Sequence, residues 1–261
     1  MEESNVVRLG DELYDALRQG RPLAPLTERL PSLALDEAYR ISKHVLSRRL
    51  EDGETLIGKK IGVTSVAVQR MLGVHQPDFG FLTDAMLYPN GGEIPLSNGA
   101  ILPRAEGEIA FRLKAPLNGP GVTNADVLAA TDRIIPCFEI VDSRIHDWKI
   151  KIQDTVADNA SCHSFVLGGE GVRPHDIDLV TCGMVIEKNG QLLSTGAGAA
   201  ALGSPVNCVT WLANTLGAYG IGLEAGDVIL SGSLVPLESV QPGDRRRHHL
   251  GGVENASVSF V

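Results

Sequence analysis

The stretch Pro103-Arg104-Ala105-Glu106-Gly107-Glu108-Ile109-Ala110-Phe111 (PRAEGEIAF, 103–111) sets two carboxylates two residues apart in an otherwise apolar run. Ile109 and Phe111 mark a β-strand, and in a strand side chains at i and i+2 share a face. Two charges on one buried face repel each other and resist desolvation, so that face calls for a counter-charge. A third acid, Glu139, stands in the apolar run IIPCFEIVDSRI (134–145), with Asp142 just beyond it. If the two strands are neighbours, Glu106, Glu108 and Glu139 form an oxygen-only cluster suited to a hard divalent cation, Mg²⁺ or Mn²⁺. Open positions on such a cation accept an α-keto acid through its carboxylate and carbonyl oxygens. The alternative pairs each glutamate with an arginine, such as Arg104 or Arg144.

The same β character extends outward. From Thr55 onward short apolar runs alternate with Gly, Pro, Asn and Asp turns, as in LIGKKIGVT (56–64), GFLTDAMLY (80–88) and DVILSGSLVPL (227–237). Glu187-Lys188-Asn189-Gly190-Gln191 reads as a hairpin, because Asn-Gly accepts the positive φ angles of a type I′ turn. Two helices are expected to interrupt the strands, one over 124–131 capped by Thr123 or Asn124, the other from about Pro205 to Gly217 or Gly220. The small residues of GAGAAALGSP (196–205) let backbones approach closely, and the 29 glycines suit a tightly curved sheet or barrel. The N-terminal part differs. Val6, Leu9, Leu13, Ala16 and Leu17 fall at helical spacing, as do Ala38, Ile41, Val45 and Leu46, with RPLAPLTERLP (21–31) an extended connection between them. The expected class is α+β, with a helical N-terminal segment over 1–54 and one β-rich domain over 55–261.

A net charge of −9 argues against a nucleic-acid partner, and no basic amphipathic helix points to a membrane surface. Cys137, Cys162, Cys182 and Cys208 are dispersed without a CxxC pair and read as buried free thiols in a reducing cytoplasm. The start MEESNVVRLG lacks the apolar core of a signal peptide.

Taken in order, GKKIGVTS (58–65), HQPDFGFLTDAM (75–86), PRAEGEIAF, IPCFEIVDSRI (135–145), DTVADNASC (154–162) and ILSGSL (229–234) resemble the 2-hydroxypenta-2,4-dienoate hydratases, also called 2-oxopent-4-enoate hydratases, of aromatic meta-cleavage pathways. These belong to the fumarylacetoacetase-like superfamily, which also holds the 4-oxalocrotonate decarboxylases. The resemblance implies a fumarylacetoacetase-type mixed β-roll or barrel with Glu106, Glu108 and Glu139 as metal ligands and Lys60 as the active-site lysine. Lys59 then points to the opposite face. Asp78 matches the acid that hydratases carry, where the decarboxylases have an apolar residue, and proton transfer during water addition gives that acid a role; on local grounds, following Pro77 in QPDFG, it reads instead as an Asx-turn acid. Leu72 is implied as a pocket wall and Ser161 as a substrate contact; an ordinary core leucine and a turn hydroxyl are the local alternatives.

The implied reaction is a metal-dependent conversion of a small 2-hydroxy dienoic acid to 4-hydroxy-2-oxopentanoate. A homo-oligomer, and a complex with the 4-oxalocrotonate decarboxylase, are further implications. Two other readings stay open: a decarboxylase of 2-oxo-3-hexenedioate on the same metal site, and a non-catalytic partner subunit. One stretch departs from the family pattern. Arg245–His249, in DRRRHHLGG (244–252), lacks the alternation of a half-buried strand, so an exposed or disordered segment, or one holding a charged contact, is expected there.

Overall fold

The computed structural model describes residues 1–97 and 99–261, apart from the side chains at 67, 71 and 72. The helices are α1 (Glu3–Gln19), α2 (Leu26–Arg29), α3 (Leu35–Glu51), α4 (Val66–Leu72), α5 (Asn124–Ala130), α6 (Ile152–Ala157) and α7 (Pro205–Ala218). The first strands are β1 (Leu56–Gly62), β2 (Asp78–Thr83), β3 (Leu87–Tyr88), β4 (Glu93–Ile94), β5 (Arg104–Leu113), β6 (Thr131–Val141) and β7 (Cys162–Leu167). The remainder are β8 (Gly183–Lys188), β9 (Gln191–Ala197), β10 (Val228–Ser233), β11 (Glu238–Ser239), β12 (Arg245–Leu250) and β13 (Ala256–Phe260).

A larger sheet runs β2-β1-β10-β5-β6-β7-β3, with β11 added to β5, and a smaller one runs β4-β13-β12-β8-β9. Both are mixed: β1–β10, β3–β7 and β4–β13 are parallel and the other pairs antiparallel. The smaller sheet presses on the back of β5. A Cβ added to Gly107 would lie 2.6 Å from Ile186 Cδ1 and 2.9 Å from Met184 Sδ. That contact explains the spelling Glu-Gly-Glu, in which the two acids face one way and only glycine fits behind them.

The N-terminal helices form as their apolar stripes require. α1 buries Val6, Leu9, Leu13 and Ala16, and α3 buries Ala38, Ile41 and Val45. They share the core with the larger sheet, since Tyr39 of α3 stacks on Phe79 of β2 with ring centroids 4.0 Å apart. The connection between them is not wholly extended: Leu26–Arg29 makes one helical turn. Thr27 there donates its N–H (3.0 Å) and hydroxyl (2.7 Å) to the buried Asp154 carboxylate of α6. Beyond residue 55, α5 and α7 fall where expected, and α4 and α6 are additional. Both are short, and α4 carries β-branched residues, so neither shows a long helical period. Asn189 and Gly190 take φ angles of 53° and 77° and join β8 to β9 as the hairpin reading requires. All four cysteines are buried and free. No helix among the described residues is long and apolar enough to cross a membrane.

The reading of Arg245–His249 needs correction, for this stretch is the central strand β12 of the smaller sheet. Arg245, Arg247 and His249 point outward, while Arg246 and His248 are buried. Inward polar groups are tolerated where they find partners. The Arg246 guanidinium donates to the Ser239 carbonyl at 2.7 Å, and His248 Nδ1 meets the Cys137 carbonyl at 3.2 Å with the ring edge-on to Phe138. Burial pushes the His248 imidazole down to about 4. Its neutral form is therefore favoured by folding, whereas the unfolded chain protonates it below its ordinary value of 6.5. The contribution of this group to stability is expected to fall as pH drops through that window, by at most about 3 kcal/mol. Urea unfolding across the window should show H248Q, which keeps a donor for the Cys137 carbonyl, gaining stability relative to the wild type as pH falls; a difference between the two that does not change with pH would contradict this.

Candidate active site

β5 and β6 pair so that Glu106 lies directly opposite Glu139 and Glu108 opposite Cys137. The three glutamates each bring one carboxylate oxygen to within 4.8 Å of the others. Glu108 and Glu139 are fully buried and Glu106 half-buried. The kink of β10 supplies one partner, the Gly232 N–H donating to Glu108 Oε2 at 2.8 Å. Among the described residues, Glu108 Oε1 and Glu139 Oε2 accept no hydrogen bond. Neither arginine considered above serves this cluster. Arg144 is committed to Asp158, and Arg104 lies over the Trp148 ring at 4.7 Å.

The one cation in contact with the cluster among the described residues is Lys60, with Nζ 3.0 Å from Glu139 Oε1 and donating to the Ala160 carbonyl at 3.1 Å. β1 delivers it, and alternation sends Lys59 to the other face, where it pairs with Asp227 at 2.5 Å. Asp78 is not a turn residue. It opens β2, buried, in register with Gly62 of β1. A Cβ at Gly62 would lie 2.3 Å from Asp78 Oδ1 and 3.2 Å from Lys60 Nζ, so glycine keeps the gap in which acid and ammonium face each other. Asp78 Oδ1 has no hydrogen-bond partner among the described residues.

Burial dominates the electrostatics. It raises the Glu106 and Glu108 carboxyls, and the neighbouring Glu139 charge raises them further. It also raises Asp78, against the pull of Lys60. For Lys60 burial works against the ammonium, yet Glu139 and then Asp78 outweigh it, and the group is held charged. Isolated buried ions each cost several kcal/mol, and one lysine does not offset four carboxyls. Oxygen-only donors, bare buried lone pairs and surplus negative charge together fit a hard divalent cation among Glu106, Glu108 and Glu139.

Ser161 is buried, its Oγ 3.1 Å from Thr155 Oγ1. It ends a turn in which Asn159, Ala160 and Ser161 all take positive φ (53°, 50° and 55°). Such backbone costs roughly 1–2 kcal/mol per non-glycine residue, and this turn supplies the carbonyl that receives Lys60. Leu72 belongs to α4, and its side chain lies outside the described residues. Gly62, the Gly232 N–H and Asn159 emerge only from the structure. The sole signal for them was their place inside GKKIGVTS, ILSGSL and DTVADNASC.

A mixed sheet bearing three converging glutamates beside a buried lysine suits an enzyme that acts on small oxo acids through a divalent cation. Residues 59–258 match the fumarylacetoacetate (FAA) hydrolase C-terminal family, and the chain belongs to that family. It is 68% identical over 221 residues to a 2-hydroxypent-2,4-dienoate hydratase of Pseudomonas putida, covering 85% of this chain and 100% of that protein. It is 58% identical to a 2-hydroxyhexa-2,4-dienoate hydratase of Comamonas testosteroni, over 97% of this chain and 96% of the relative. Among solved structures, the 4-oxalocrotonate decarboxylase from Pseudomonas putida G7, complexed with magnesium and adipate, superposes with a TM-score of 0.97 at 36% identity, covering 100% of this chain and 99% of that one.

Proposed function

We propose that the chain is a hydro-lyase that adds water to 2-hydroxypenta-2,4-dienoate and releases 4-hydroxy-2-oxopentanoate. The hydratases at 68% and 58% identity support that reaction. The structural observation that carries it is the pair Asp78 and Lys60 facing each other across Gly62, beside the three glutamates. Hydration needs a group that gives and takes protons, and a carboxyl raised by burial next to a fixed ammonium is suited to it.

Glu106, Glu108 and Glu139 would hold the divalent cation, Mg²⁺ or Mn²⁺. When bound, that cation neutralises the oxo-acid head and polarises its carbonyl. Lys60 stabilises negative charge developing at the C2 oxygen. Asp78 delivers a proton to C5 as the dienol is ketonised. It then takes a proton from the water that adds at C4, while C3 takes up a proton equal to the one the C2 hydroxyl released on ketonisation, so that dienol plus water balances the product. Ser161 would bond the substrate carboxylate and Leu72 wall the apolar end. The D78N variant should lose about 10²–10⁴ in kcat while binding Mn²⁺ with wild-type affinity, measured by ultraviolet loss of the dienol and by calorimetric titration. Wild-type turnover in D78N would remove the proton-transfer role.

Decarboxylation of 2-oxo-3-hexenedioate is a second reading, favoured by the superposition on the decarboxylase. Release of carbon dioxide from that dicarboxylate, without hydration of the dienoate, would select it. Turnover of neither substrate would leave a non-catalytic subunit. The proposal also takes 1–54 as a helical N-terminal segment and 55–261 as the catalytic domain, supported by β1 starting at Leu56. A cytoplasmic homo-oligomer that associates with the decarboxylase completes it. The four unpaired thiols suit that compartment.

A further inference from the structure

We propose that Asn159 is a positioning residue for Lys60, acting through the Ala160 carbonyl; this rests on the reading of Lys60 as catalytic. The left-handed turn at Asn159, Ala160 and Ser161 includes two residues that avoid such backbone, Ala160 and Ser161, and it persists only if held on both sides. On one side the Arg144 guanidinium binds the Asp158 carboxylate and donates to the Asp158 carbonyl at 2.6 Å. The Arg144 N–H adds a bond to Asp158 Oδ2 at 2.9 Å. On the other side stands the Asn159 amide. Its Oδ1 accepts the Phe81 N–H at 2.8 Å, and its Nδ2 donates to the Phe81 carbonyl at 2.9 Å.

Phe81 belongs to β2, the end strand of the larger sheet, so the amide saturates backbone groups on the strand's open side. The chains touch there, since a Cβ at Gly80 would lie 2.7 Å from the Asn159 carbonyl oxygen. Bolted in this way, the turn aims the next carbonyl, that of Ala160, at Lys60 Nζ. The ammonium thus has two fixed partners from separate elements, Glu139 of β6 and Ala160 of the turn. Without the second, it is free to swing toward Asp78. Asparagine is suited to the position because its amide both accepts and donates and because it tolerates the left-handed region.

The test uses N159G, since glycine accepts the turn's backbone while the clamp is lost. Expected are a fall in kcat of at least about tenfold, a smaller change in KM, and a crystal structure in which Nζ has left the Ala160 carbonyl. In the K60M background N159G should cause no further loss, because the two residues then act as one unit. An unchanged kcat in N159G, an equal loss in both backgrounds, or an undisturbed Nζ–Ala160 contact would each overturn the proposal. Full activity of K60M would instead sink the role of Lys60, and the N159G structure would still report whether the clamp places the ammonium. Should N159G fold poorly, N159D keeps the acceptor and loses the donor, and an intermediate kcat is expected of it.

Discussion

E108Q is expected to raise the melting temperature of the metal-free protein and to abolish most of its stabilisation by Mn²⁺. Glu108 is fully buried with one oxygen bare, and burial followed by the Glu139 charge raises its carboxyl well above the ordinary range. A carboxyl raised in the folded state favours folding at low pH, and that contribution is lost as pH rises through the folded value. At neutral and alkaline pH without metal, the cluster therefore opposes folding. Glutamine retains an acceptor for the Gly232 N–H and removes one charge. A gain of about 2 kcal/mol corresponds to roughly 4–8 °C in a chain of this size. Conversely, a ligand present at a thousandfold its Kd stabilises the wild type by about 4 kcal/mol, and the variant lacks an oxygen that takes part. Calorimetry in chelator and in Mn²⁺, at mildly acid and alkaline pH, reads both effects. A metal-free E108Q that melts below the wild type at alkaline pH would contradict the electrostatic argument.

K60M should show the opposite pattern, a large loss of stability together with a large loss of turnover. Lys60 is buried and is the cation in contact with Glu139. Removing one member of a buried pair leaves the other uncompensated, at a cost of about 3–5 kcal/mol. Mn²⁺ should restore part of that stability by supplying positive charge nearby. It should not restore activity, for which a loss on the order of 10²–10³ follows from removing a charge that stabilises the C2 oxyanion. Denaturant titration with and without Mn²⁺, alongside the dienol assay, separates the two effects. Near-wild-type turnover in K60M would move the catalytic role elsewhere.

These effects originate in side chains whose directions are legible from strand alternation. Glu106 and Glu108 share a face because Gly107 takes the other, and Lys60 turns inward because Lys59 turns toward Asp227. What the pattern leaves open is pairing. Nothing local dictates that Glu139 stands opposite Glu106; that register is set by β5 and β6 folding together. β12 is obscured for the same reason, since the partners of Arg246 and His248 come from β11 and β6. Asn159 is illegible because its conformation is a compromise among Arg144, Phe81 and Lys60, which stand far from one another in sequence. Asp78 follows a proline, which suggests a turn, yet its partner strand β1 draws it into the sheet.

The convergence of Glu106, Glu108 and Glu139 on one cation is tested most directly by anomalous diffraction at the manganese edge from crystals soaked in Mn²⁺. A single strong peak per chain, bounded by carboxylate oxygens of all three glutamates, is expected. A map with no peak there, or with manganese bound only at surface carboxylates, would contradict it.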